Sequence, residues 1–108
     1  MEIKATKVSL RCVKPLVKRY RSFKQDYSDL LDELEENPQM GTDLGNGYRK
    51  VRMAIASKGK GKSGGARVIT LNMVEREECL YLIYAYDKSN ADSVNLDILK
   101  EIVREMEL

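Results

Sequence analysis

The stretch that decides the fold runs from Tyr48 to Tyr86 and reads YRKVRMAIASKGKGKSGGARVITLNMVEREECLYLIYAY. Its apolar and β-branched residues predict three strands: Tyr48 to Ser57, Ala66 to Val74 and Cys79 to Tyr86. The acidic residues 75–78 are a short hairpin link, so the second and third strands should pair antiparallel. The glycine-rich segment 58–65 joins the first strand to the second. These three consecutive strands predict the body of a sheet.

Helical patterns flank this stretch. Val13, Leu16, Val17 and Tyr20 lie on one face of a first helix, which either begins near residues 11–14 or is kinked at Pro15. Ser22 and Gln25 have the spacing of a capping box for a second helix, which Asn37-Pro38 ends. A short strand covers residues 2–6, and a last helix runs from about Ser93.

The resulting order is β-α-α-β-β-β-α. It predicts an α+β fold, in which an antiparallel sheet of about four strands carries a helical hairpin and a C-terminal helix on one side. Residues 40–47, with three glycines, are expected to form a loop. The length of 108 residues predicts one domain, residues 1–108.

Composition limits the chemistry. The chain has no histidine, which removes the usual serine and cysteine triads and leaves no spacing for a zinc site, so neither a metal nor a cofactor is expected. Cys12 and Cys79 fit small buried apolar residues better than a disulfide. No apolar run reaches membrane-spanning length and no signal peptide is visible, so a cytoplasmic protein without a membrane partner is expected.

The net charge of +2 conceals four blocks. Residues 1–28 carry +6, residues 29–46 carry −6, residues 47–68 carry +7 and residues 69–108 carry −5. The third block contains no acid, so its seven cations repel one another, and a polyanion would relieve that repulsion. A solvated basic hairpin is the plain alternative. Gly61-Lys62-Ser63 matches the end of a nucleotide-binding P-loop, but a strand follows it where that motif requires a helix.

The segments GKGKSGGARVI and YDKS, together with the helical hairpin that ends in ENP, make the chain resemble the RelE/ParE toxin superfamily of bacterial type II toxin–antitoxin systems, and most closely its HigB-like branch. The resemblance covers nearly the whole chain. It implies a ribosome-dependent endonuclease that cuts mRNA in the ribosomal A site, inhibits translation, and is neutralised by a cognate antitoxin.

The resemblance also implies roles for single residues. Lys50 and Arg52 match the basic pair on the family's second strand, Arg67 matches the arginine that contacts the scissile phosphate, and Tyr86 and Lys88 lie where the remaining functional side chains occur. The catalytic tyrosine of RelE-type members has Val94 as its nearest match. The candidate catalytic residues are Lys50, Arg52, Arg67, Tyr86 and Lys88; the candidate RNA-binding residues are Arg49, Lys58, Lys60, Lys62 and Ser63.

These residue types suit one reaction, in which the RNA 2′-OH attacks the adjacent phosphate. The protein must move two protons and stabilise an added negative charge. Arg67 cannot lose its proton, so it suits charge stabilisation, whereas a lysine crowded by like charges, such as Lys50, is a candidate base. Tyr86 can stack on a base or pass a proton. Asp87 is another candidate base, although a turn carboxylate is the simpler interpretation.

Strand alternation predicts that Tyr84 and Tyr86 share one face and that Tyr81 takes the other. Two further functions stay open at this level: a toxin of the same fold that poisons a DNA-handling enzyme without chemistry, as ParE members are thought to do, and a plain RNA-binding module. The glycine-rich basic loop with Arg67 favours RNA cutting over the first. The absence of an aromatic base-stacking signature argues against the second.

Overall fold

The structure is a computed structural model that describes residues 2–72, 78–90 and 94–105. Its main elements are strand β1 (Glu2–Ala5), helices α1 (Lys7–Arg19) and α2 (Phe23–Glu36), strands β2 (Thr42–Gly45), β3 (Tyr48–Met53), β4 (Ala66–Asn72) and β5 (Cys79–Asp87), and helix α3 (Leu96–Glu105). The α+β class is confirmed. Three predicted features lie outside the described residues: the start of the last helix at Ser93, the last two residues of the strand predicted to Val74, and the link at 75–77.

The sheet has five strands in the order β1-β5-β4-β3-β2. The pairs β2–β3, β3–β4 and β4–β5 are antiparallel, but β1 runs parallel to β5, with Ile3 opposite Leu80. The prediction of a purely antiparallel sheet of about four strands is therefore wrong in both count and direction. The chain leaves β1 through two helices, and a crossover of that length lets a strand lie parallel to its neighbour.

The additional strand, β2, lies in the segment predicted as a loop. It forms a hairpin with β3 through Asn46 and Gly47, both of which have positive φ angles, 55° and 87°. Two such residues are typical of a type I′ turn, whose twist matches that of the paired strands. The glycines here close a hairpin.

Helices cover both faces of the sheet. One apolar core lies between the sheet and α1 and α2, and includes Leu16, Phe23, Leu34, Val68 and Leu80. The second lies under α3 and includes Ile69, Tyr81, Ile83 and Leu99. The expectation that all helices pack on one side is therefore wrong, because consecutive residues of β4 and β5 are apolar and both faces need cover.

Helix α1 begins at Lys7, which excludes one of the two alternatives, a start near residues 11–14. The side chain of Thr6 is the N-cap and accepts a hydrogen bond from the Ser9 amide at 3.1 Å. The helix continues through Pro15. It ends next to Tyr20, whose side chain reaches the far end of β5.

The predicted capping box at the start of α2 does not form. The Ser22 hydroxyl makes no cap hydrogen bond; it donates to Asp26 at 2.7 Å and accepts from the Ser57 amide at 2.8 Å. Gln25 instead donates to Asp29, one turn further along α2. The N-terminus of α2 is therefore joined to the segment that follows β3.

None of the helices in the described ranges is both long enough and apolar enough to cross a bilayer. Both cysteines have free thiols, Cys79 buried and Cys12 half-buried.

Candidate functional site

Three candidate side chains lie in one row across the sheet. In the register of the strands Arg52 is opposite Arg67, and Arg67 is opposite Tyr86. Directly opposed residues of antiparallel strands bring their Cβ atoms to about 4.5–5.5 Å on the same face. We call Arg52, Arg67 and Tyr86 the cationic row. It lies at the end of the sheet, on the face that α3 covers elsewhere.

A second row runs beside the first. Lys50 is opposite Ile69, which is opposite Tyr84. The rings of Tyr84 and Tyr86 lie 6.3 Å apart between centroids at an angle of 45°, so the two tyrosines share this face as predicted. Lys50 is thus placed one step from Arg52 on the same side of β3.

Tyr81 packs in the same apolar cluster as Tyr84, so the prediction that it takes the opposite face is wrong. The cause is an irregularity in β5. Ile69 pairs with Tyr84 whereas Thr70 pairs with Leu82, so one residue of β5 is extra. Such a bulge interrupts the alternation of side chains.

Arg67 is a buried arginine with defined partners. Only 6% of it is exposed. Its guanidinium donates to the carbonyl oxygens of Lys62 at 2.8 Å, Ala66 at 3.1 Å and Ser63 at 3.3 Å. These bonds use three of its five N–H groups. Arg67 therefore braces the loop before β4 while its strand position keeps it in the cationic row.

Burial, together with the positive charge of Arg52, lowers the pKa of Arg67 below its ordinary value. Arginine nevertheless stays protonated under physiological conditions. Arg67 can therefore stabilise negative charge but cannot act as a base. Within the described part of the chain neither Arg52 nor Arg67 forms an ion pair, so this region favours an anion.

The loop between β3 and β4, residues 54–65, is called the basic loop here. Gly61 has a φ of 61°, and a side chain at Gly65 would run into the carbonyl oxygen of Met53. Both positions therefore require glycine for the loop to turn tightly and lie close to β3. Lys60, Lys62 and Ser63 are exposed on it, as the RNA-binding prediction needs.

The remaining predicted residues are not gathered at the row. Arg49 lies on the other face of β3 and donates to the Gly41 carbonyl at 3.3 Å. Lys88 follows β5 and is half-buried, with its amide donating to the Gly65 carbonyl at 3.0 Å. Val94, the nearest match to the family's tyrosine, packs in the apolar cluster under α3.

Lys58 is placed in the interior, unlike Lys60 and Lys62. Its ammonium lies 2.8 Å from Asp87 Oδ1, and only 9% of its side chain is exposed. It also donates to the Ser89 hydroxyl at 3.2 Å and lies 5.3 Å from the centre of the Tyr20 ring. The structure therefore separates Lys58 from the other candidate RNA-binding lysines.

Asp87 is 1% exposed and accepts hydrogen bonds from four groups. Oδ1 accepts from the Lys58 ammonium, from the Ser89 amide at 3.0 Å and from the Ser89 hydroxyl at 2.6 Å. Oδ2 accepts from the Tyr20 hydroxyl. Burial raises the pKa of this carboxyl, but the hydrogen bonds from Lys58, Ser89 and Tyr20 lower it by more. The resulting pKa lies below the ordinary range. A carboxylate held ionised in this way is a weak proton acceptor, and its bond to Ser89 is that of a turn residue.

Sequence reasoning missed this cluster and the row of Lys50 and Tyr84. The spacing Asp87-x-Ser89 is a signal for a turn in which the carboxylate accepts from the second residue on. No local signal points to Tyr20 and Lys58, which are 67 and 29 residues from Asp87 in the chain. Within the described ranges no group of three or more histidine, cysteine or acidic side chains could hold a metal ion.

Arg52 and Lys62 also line an open cleft of about 180 Å³. Its opposite wall is the acidic side of α2, with Asp26, Asp29 and Glu33. These acids repel a polyanion, so the α2 wall of the cleft disfavours one.

Fold and site together define a small α+β protein with a cationic row suited to an anionic ligand. A sequence profile of the RelE toxin of the RelE/RelB toxin–antitoxin system matches residues 15–106. The chain therefore belongs to the RelE toxin family. Among solved structures it is similar to a double arginine-to-alanine mutant of the E. coli toxin RelE in the free state, with a TM-score of 0.56 and 13% identity over 99% of this chain and 97% of that one. At this identity the likeness shows the fold.

Proposed function

We propose that the protein is an mRNA endonuclease that cuts messages in the ribosomal A site, inhibits translation and is neutralised by a cognate antitoxin. The observation that carries this proposal is the cationic row in a member of a toxin family: Arg52 and Arg67 on neighbouring strands, beside Tyr86 and without ion-pair partners in the described chain. A ribosomal target implies a cytoplasmic protein.

The proposed reaction is attack of the RNA 2′-oxygen on the adjacent phosphorus. The bond from phosphorus to the 5′-oxygen breaks, a proton leaves the 2′-hydroxyl and another reaches the 5′-oxygen, which yields a cyclic phosphate and a free 5′-hydroxyl. Arg67 and Arg52 stabilise the extra negative charge, since each keeps its proton. Lys50 and Lys88 are the candidate groups for proton transfer and phosphate contact, and Tyr86 orients the nucleotide.

The ribosome supplies what this surface lacks. Cleavage of a chosen phosphate requires a nucleotide splayed in line for attack, and a free single strand rarely adopts that shape. The exposed lysines of the basic loop, Lys60 and Lys62, attract any polyanion without choosing a site. The decoding site already holds the codon in a fixed bend, so it provides the alignment.

We therefore expect the purified protein to cut a ribosome-loaded message far faster than the same message free in solution. The measurement is primer extension on both samples at equal protein concentration, with a message lacking a ribosome-binding site as the control. Equal cleavage of the loaded and free message would contradict the ribosome requirement. No cleavage of either would contradict the endonuclease.

The antitoxin is proposed to approach the same basic surface with an acidic, initially flexible segment. Of the seven cations in residues 47–68, Lys58 is neutralised by Asp87; the others favour such a partner, and salt should weaken the complex because it screens part of the attraction. Absence of any small co-purifying protein from the native host would argue against it.

A further inference from the structure

Side chains attach the basic loop to the rest of the protein at three places. At α2, Asp26 accepts from the Ala56 amide at 2.9 Å and Ser22 accepts from the Ser57 amide. At β4, Arg67 holds the carbonyls of Lys62 and Ser63. At β5, Lys58 is held by Asp87. The ends and the middle of the loop are thereby fixed to three different elements.

The attachment to β5 differs from the other two because it is an ion pair. It joins two full charges at 2.8 Å, with both side chains withdrawn from water. Asp87 Oδ1 and Oδ2 are both engaged, and the ammonium of Lys58 also faces the Tyr20 ring. A buried ion pair with all its neighbours hydrogen-bonded resists rearrangement, because breaking it leaves an uncompensated charge in the interior.

This attachment lies directly behind the cationic row. Asp87 is the next residue after Tyr86 and is opposite Ala66, the neighbour of Arg67. If Lys58 left its place, the loop that Arg67 braces through Lys62 and Ser63 would lose its side-chain attachment to β5, and any shift of the loop would move the guanidinium with it. The ion pair and the row are thus coupled through the loop.

We propose that Lys58 and Asp87 are positioning residues for the proposed RNA cleavage, holding the basic loop so that Arg67 is presented to the phosphate, and that Lys58 does not itself contact RNA. The inference rests on the proposed function. It assigns Lys58 a role different from that of Lys60 and Lys62, although the three alternate in the same sequence run.

The test compares Lys58→Met with Lys60→Met, two equal changes in one loop, on ribosome-loaded message. Misplacement of a catalytic group by about 1 Å can cost about 100-fold, so for Lys58→Met we expect kcat to fall by about 10- to 100-fold with KM little changed. Lys60→Met should instead raise KM, because it removes an exposed cation. Lys58→Arg keeps the ion pair and should recover most of the lost kcat.

Two measurements keep the test independent of folding and of the reaction. Tyr20→Phe retains the ring but removes one hydrogen bond to Asp87, so it should lower kcat in the same direction without unfolding the protein. Trypsin should cut Lys58→Met after Lys60 and Lys62 faster than it cuts the parent, at a temperature where circular dichroism shows both to be folded.

The outcomes separate the two proposals. If Lys58→Met raises KM with kcat unchanged, Lys58 binds RNA and the positioning role is wrong. If its kcat and its rate of trypsin cutting both equal those of the parent, the role is also wrong. If the parent itself does not cut RNA, the proposed function fails, and the trypsin comparison alone then decides whether the ion pair fixes the loop.

Discussion

Tyr86 and Asp87 are consecutive in β5, yet their surroundings are opposite. On the face of Tyr86 two arginines lie side by side without an ion-pair partner in the described chain. On the face of Asp87 a lysine, a tyrosine and a serine satisfy one carboxylate. Alternation along one strand therefore separates a region that attracts anions from one that is internally neutral.

Formal charge in the sequence therefore does not show which cation is available to an anionic ligand. Lys58, Lys60 and Lys62 are indistinguishable in the sequence, but among the described residues only Lys58 has a buried counter-charge. Arg67 is also withdrawn from water, but its partners are carbonyl oxygens, which leave its positive charge in place. The kind of partner decides whether a cation remains available to a phosphate.

The largest expected effect comes from removing the buried negative charge of Asp87, which pairs with Lys58. Asp87→Asn keeps the shape but leaves Lys58 buried without a counter-charge, so we expect the free energy of unfolding to fall by about 3–5 kcal/mol. Urea unfolding followed by circular dichroism measures it. Asp32→Asn, an exposed acid on α2, is the matched control and should change stability by less than about 0.5 kcal/mol. Equal effects of the two changes would show that the buried pair contributes nothing special.

The pH dependence of the free energy of unfolding provides a second test of the Asp87 carboxylate. The pKa of Asp87 is lower in the folded protein than its value of about 3.9 in an unfolded chain, so the folded state binds fewer protons. The stability that Asp87 contributes is then fully present above about pH 4 and is lost as the pH falls through the folded pKa. The difference between the parent and Asp87→Asn should therefore be constant near neutrality and shrink in acid. A difference that grows on acidification would contradict the direction of the shift.

How far the sequence leads can be judged from particular elements. The strands β3, β4 and β5 and the placement of Arg52 and Arg67 follow from local patterns of apolar residues and charge, although β3 ends at Met53 and not at the predicted Ser57. Asn46-Gly47 contained the signal for β2, but reading its glycines only as loop residues concealed the hairpin. The parallel pairing of β1, the extra residue in β5 and the meeting of Tyr20, Lys58 and Asp87 depend on contacts between distant segments, for which a single sequence gives no local pattern.

The next largest effect is expected from a substitution in the cationic row. Arg67→Ala should lower kcat for cleavage of ribosome-loaded message by about 100- to 1000-fold, which corresponds to about 2.7–4 kcal/mol for one donor to a developing negative charge. Some loss of stability should accompany it, because the carbonyls of Lys62 and Ser63 lose a donor. The measurement is a cleavage time course at a temperature where the variant is folded.

Arg11→Ala on the exposed side of α1 removes an equal charge far from the row, and its kcat should match that of the parent. Arg67→Lys should recover stability better than activity, since lysine lacks the planar fork that spans several acceptors. Cleavage by Arg67→Ala at the parent's rate would place the reaction elsewhere on the protein.

The smallest expected effect is a change in the salt dependence of RNA binding, which should differ between Lys60 and Lys58. Each cation that neutralises an RNA phosphate adds about 0.7 to the slope of log affinity against log salt for a single strand. Lys60 is exposed and without an ion pair in the described chain, so Lys60→Ala should reduce the slope by about that amount for a short single-stranded RNA measured by fluorescence anisotropy. Lys58 is already neutralised by Asp87, so Lys58→Met should leave the slope unchanged even if affinity changes. Equal losses of slope in the two variants would mean that Lys58 leaves Asp87 when RNA binds. The two faces of β5 would then no longer differ in the charge that they offer to RNA.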